Sequence, residues 1–104
     1  MSLSRVAALV LFSLFSLNAG AQITYQDLKP LFQDHCLMCH SGPGAPLGLS
    51  LDSYQGLMDG SSRGAVVKSG QPGESELLHR LRGESQPRMP LTGPPWVPEE
   101  DIAR

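Results

Sequence analysis

Residues 36–40 read Cys36-Leu37-Met38-Cys39-His40, and these are the only two cysteines in the 104-residue chain. Two thiols three positions apart, with an imidazole directly after them, form the C-x-x-C-H pattern of covalent haem attachment. On one helical turn, each thiol reaches one vinyl group of the macrocycle. The following residue then turns its imidazole toward the iron from one face. The pattern predicts one haem c, anchored by Cys36 and Cys39, with His40 as the proximal iron ligand. Other chemistries fit less well. A thioredoxin-like redox pair needs a βαβ context ahead of the cysteines, and too few residues precede Cys36 for one. A zinc site would draw on Cys36, Cys39 and two of His35, His40 and His79, but the usual second pair of ligands is missing. A plain disulfide would leave His40 unexplained.

The first residues read as an export signal. Arg5 supplies a positive start, Val6 to Leu17 is apolar apart from Ser13 and Ser16, and Ala19-Gly20-Ala21 offers the small residues of a cleavage site. The apolar run is too short for a membrane anchor. Residues 1–21 are therefore expected to be a signal peptide, and 22–104 one haem domain. That places the protein, exported and soluble, in the periplasm with no membrane span, and thioether formation likewise belongs outside the cytoplasm. The mature chain would carry seven basic and ten acidic residues. With no basic, aromatic-rich face, nucleic acid is excluded as a partner. A domain of this size has a marginal core unless something staples it, and a covalently bound macrocycle would do so.

Nine prolines and eleven glycines predict a loop-rich fold with short helices. Leu28, Leu31, Phe32 and His35 share one face of a helix expected over Ile23 to Cys39, with Thr24 and Asp27 as a capping pair. Pro30 would either kink it or begin its regular part. Ser41 to Leu47 is a stiff loop, and a carbonyl in it is expected to accept the His40 Nδ1–H. A short helix over Ser53 to Met58 is capped by Asp52 or Ser53 and stopped by Gly60. Another runs from about Pro72 to Arg82, with Gly83 just past its end and its terminal charges matched to the dipole. A last helix starts at Pro98.

The iron needs a second axial ligand if little is to rearrange on electron transfer. Met with His is the usual cytochrome pairing. Met38 lies inside the attachment motif, Met58 sits in a short helix, and Met89 lies in a loop between Pro87 and Pro90. Met89 is the favoured donor, with Met58 and His79 as alternatives.

The chain is similar to bacterial class I cytochromes c of the short, planctomycete-type kind. The similarity is carried by the 36–40 motif, by Gly48-Leu49-Ser50-Leu51-Asp52-Ser53-Tyr54, by Gly70-Gln71-Pro72-Gly73-Glu74-Ser75 and by Arg88-Met89-Pro90. It implies a small all-α fold of three to four short helices and long loops around one haem, with His40 proximal and Met89 distal. Such domains end in a complete helix packed across the first one. Here the sequence stops at Arg104, so the resemblance implies an incomplete last helix and a partly uncovered face at Leu28, Leu31 and Phe32. The expected function is electron transfer by an Fe(II)/Fe(III) couple, not enzymatic turnover, with transient redox partner proteins docking at the haem edge. The alternative is a five-coordinate haem that acts on peroxide or senses a gas. That would follow if Met89 does not ligate, with Arg88 or His79 on the distal side.

Overall fold

The computed structural model describes residues 22–104, so the signal-peptide expectation lies outside the described residues. Among them four α-helices form and no strand does: α1 (Tyr25–His35), α2 (Tyr54–Asp59), α3 (Glu76–Arg82) and α4 (Glu99–Ile102). Single 3-10 turns occupy Pro46–Gly48 and Pro72–Glu74. Long loops make up the rest, as the proline and glycine content requires.

The start of α1 is fixed by Asp27, whose carboxylate accepts from the Thr24 N–H at 2.8 Å and the Thr24 hydroxyl at 3.0 Å. Pro30 lies inside the helix without ending it. The helix does not reach Cys39, however. It stops at His35, where the Leu37 N–H takes the Phe32 carbonyl at 2.9 Å in a wider i→i−5 bond. That wider turn unwinds the ladder. A separate turn follows, closed by the His40 N–H on the Cys36 carbonyl at 2.8 Å.

Helix α2 forms as expected. The Ser53 hydroxyl accepts from the Gly56 N–H at 3.0 Å, and Gly60 leaves the helix at φ 74°. An added Cβ at Gly60 would stand 2.4 Å from the Gly64 carbonyl oxygen, so both the backbone angle and the space require glycine. Asp52 does not cap α2. Its carboxylate reaches back to the Gly42 N–H at 3.2 Å and the Ser50 hydroxyl at 2.7 Å, which ties the proline-rich loop to the segment after it.

The helix expected from Pro72 to Arg82 is broken at Ser75. This residue has extended backbone (ψ 109°) and is only 3% exposed. Its hydroxyl accepts from the Lys68 N–H and donates to the Gln71 carbonyl, each at 3.0 Å. The side chain thus competes with the helical ladder for backbone partners. Replacing Ser75 by alanine leaves the Lys68 N–H without that acceptor. A cost of about 1–3 kcal/mol is expected, lowering the melting temperature by roughly 5 °C or more in a circular-dichroism melt. Gly83 ends α3 in the left-handed conformation, at φ 75° and ψ 15°.

Two apolar clusters meet at Leu77. Phe32, Leu51, Leu57 and Val66 form the first, with Tyr25 stacked on Phe32 at 5.8 Å. Leu81, Val97 and Ile102 form the second, against which Leu31, Leu78 and Met89 pack. Arg82 joins α3 to α4 by a forked contact with Glu99, the shorter arm being 2.8 Å. Helix α4 is a single turn. Leu28 and Leu31 are partly buried, and with Phe32 and Ile102 they line a cleft of about 640 Å³.

Candidate functional site

The unwound end of α1 directs the 36–40 turn toward a second, larger cavity of about 740 Å³. Cys36, Cys39, His40 and Met89 all line it. Leu49, Leu51, Val66, Leu77 and Leu81 add apolar wall from both clusters. The volume falls in the range of single-ligand and cofactor sites.

His40 is oriented through its backbone and its ring. The Leu51 N–H donates to the His40 carbonyl at 2.8 Å, and the ring Nδ1 lies 3.0 Å from the Leu49 carbonyl oxygen. A carbonyl only accepts, so Nδ1 carries the proton and the neutral ring has its lone pair on Nε2. The acceptor therefore lies beyond the loop over 41–47 where it was expected. The extended backbone at Leu49 (φ −82°, ψ 103°) follows a turn in which Leu47 takes φ 53°, and this path carries the Leu49 carbonyl to the ring.

The two thiols differ in surroundings. Cys39 is exposed, whereas burial pushes the Cys36 thiol up to about 11. A redox-active pair requires the opposite shift in its attacking thiol, so the site is ill suited to disulfide exchange. Among the described residues no three His, Cys, Asp or Glu side chains converge in a way that could hold a metal ion.

Of the candidate distal donors, Met89 lines the cavity and Met58 does not. Met38 lines it but is 89% exposed. The Met89 N–H donates to the Arg80 carbonyl at 3.0 Å, which fastens this loop residue to α3. His79 faces elsewhere, with Nε2 2.7 Å from the Gly73 carbonyl and Nδ1 3.4 Å from Glu76. The Gly73 carbonyl, then Glu76 and Glu84, raise its pKa above the ordinary value. A raised folded-state pKa stabilises the fold below the ordinary histidine value of about 6.5, and that contribution is lost as pH rises through the folded value. The melting temperature is therefore expected to fall slightly from pH 6 to pH 8, and His79→Gln to flatten that decline.

The sequence reading passed over two groups. Leu49 acts through its carbonyl, which no residue type advertises. Arg80, read there only as a dipole charge, lines the cavity and receives the Met89 N–H on its own carbonyl. The Glu76–Arg80 spacing of i,i+4 was the available signal for its side chain.

The sequence profile of the planctomycete cytochrome C family matches residues 36–93, more than half of the chain. The chain belongs to that family. Membership makes it a cytochrome c haem protein and implies covalent haem c. The matched stretch opens on Cys36, includes Met89 and ends before α4. No match was found among curated proteins or among solved structures. Among the described residues no helix is long and apolar enough to cross a membrane.

Proposed function

We propose that this planctomycete-type cytochrome is an exported, periplasmic electron carrier. It holds one haem through Cys36 and Cys39, with His40 and Met89 as axial ligands. The observation that carries this reading is the convergence of all four side chains on one cavity, from positions 36 to 89. The residues present suit the group. The cavity volume is adequate, the walls are largely apolar, and the Leu49 carbonyl holds His40 in the tautomer that leaves Nε2 free to bind metal.

Bound there, the haem supplies a one-electron Fe(II)/Fe(III) couple. The chain's own residues set the conditions for it. Cys36 and Cys39 fix the macrocycle covalently. The Leu49 carbonyl orients His40 and raises its basicity. Met89, on a loop fastened to Arg80, brings a thioether donor, which favours the reduced state and raises the potential. Leu49, Leu51, Val66, Leu77 and Leu81 keep water away. A five-coordinate haem for peroxide or gas asks for a distal His or Arg, and neither His79 nor Arg88, the residues expected there, lines the cavity; of the arginines that do, Arg63 is exposed and Arg80 is held by Glu76 and the Gln86 carbonyl. Met38, Leu47 and Leu91 line it and remain exposed at 89%, 51% and 66%. This apolar rim suits brief docking of a redox partner, and the small net charge gives little long-range steering.

The test is the intact mass of the chain recovered from the periplasm of cells that mature cytochromes c. The expected product starts at Gln22, carries the mass of one haem and keeps its colour in acidic acetone. An unmodified mass, or a pigment that the solvent extracts, overturns the reading.

A further inference from the structure

Segment 86–90 contains two prolines, Pro87 and Pro90, which have no N–H to donate. It therefore has few donors with which to brace itself, and its carbonyls depend on donors from outside. Arg80 on α3 serves two of them. Its Nη1 donates to the Gln86 carbonyl and lies 3.5 Å from that of Pro87. The Arg80 carbonyl accepts the Met89 N–H at 3.0 Å. One residue thus grips the loop on both sides of the Arg88 position. The guanidinium is itself held: its Nε donates to Glu76 Oε1 at 2.8 Å, and the side chain is 22% exposed. Both Arg80 and Glu76 line the cavity that Met89 lines.

We propose that Arg80 is a positioning residue for Met89: its guanidinium, aimed by Glu76, ties the Gln86 and Pro87 carbonyls to α3 and so sets where the Met89 sulfur stands in the cavity. This rests on Met89 being the distal ligand. The pairing of Glu76 four residues ahead of Arg80 is the favourable helical order. The planar fork matters as well as the charge, because a lysine ammonium cannot serve Glu76 and two carbonyls with the same geometry.

The test uses ferric holoprotein with full haem content and measures three quantities: the weak red-edge band of sulfur ligation, the rate of cyanide capture, and the reduction potential. Arg80→Gln is expected to weaken the band and speed cyanide capture by about tenfold, the effect of losing one charge-assisted hydrogen bond. Arg80→Lys and Glu76→Gln should shift both readouts in the same direction by less, and they carry the test if Arg80→Gln does not accumulate. Met89→Ala separates the two readings. If it leaves the wild-type band unchanged, Met89 ligation fails and this proposal falls with it. If it abolishes the band while Arg80→Gln matches wild type in band and cyanide rate, the positioning role alone is overturned. A shift in potential without either change would also overturn it, marking Arg80 as a charge near the haem and not a brace.

Discussion

The double variant Cys36→Ala/Cys39→Ala is expected to be exported without colour, with an intact mass lacking any haem, and to show no cooperative unfolding transition. The first part follows from chemistry, since no thioether forms without a thiol. The second follows from the small margin of such a domain. Without the macrocycle the partly open, largely apolar cavity of about 740 Å³ fills with water. Whole domains are stable by only about 5–15 kcal/mol, and one of this size lies at the low end, so little is left to offset that loss. The two apolar clusters meet at Leu77, and both send side chains into this cavity, so emptying it weakens each of them. Thermal melts and near-ultraviolet circular dichroism check the expectation. A sharp, wild-type-like melt in the colourless variant would show that the fold does not need its cofactor. Single cysteine variants should retain one bond and an intermediate melting temperature.

This dependence explains which parts of the fold were legible in the sequence. Side chains with distinct chemistry stood out: the Ser53 cap with Gly60 behind it and Gly83 in the left-handed region took the places expected of them, and the 36–40 motif and Met89, singled out far apart in the sequence, line one cavity. What stayed hidden was governed by backbone path. The helix was expected to run to Cys39, yet it unwinds after His35 through an i→i−5 bond that no residue in the stretch requires. Ser75 looked like one more residue of a helix beginning at Pro72. Only tertiary structure brings the Lys68 N–H within reach of its hydroxyl and breaks that helix. The acceptor for His40 was sought among residues 41–47 because those lie nearest in sequence. Every residue has the same carbonyl, so the choice of Leu49 waited on the turn at Leu47.

Replacing Met89 is expected to keep the haem and change its electronic character. Cys36, Cys39 and His40 are untouched, so the intact mass of Met89→Ala should still include one haem. The weak red-edge ferric band should vanish, cyanide should bind the ferric form readily, and the reduction potential should fall by on the order of 100 mV, a fraction of the ~0.8 V over which axial ligands tune haem proteins. Alanine also removes packing against Leu81, Val97 and Ile102; Met89 is partly buried, so the cost falls below the about 2–5 kcal/mol of a fully buried methionine. A lower potential could then reflect a looser, wetter pocket and not the lost donor. Met89→Leu separates these causes, because a swap of similar volume costs less than about 1.5 kcal/mol while still deleting the sulfur. If ligation sets the potential, leucine and alanine should give the same spectrum and nearly the same potential but different melting temperatures. If leucine restores the potential, packing and dryness were responsible, and the distal donor must be sought elsewhere. Met58→Leu serves as the control: Met58 does not line the cavity, so its replacement should leave band and potential as they are.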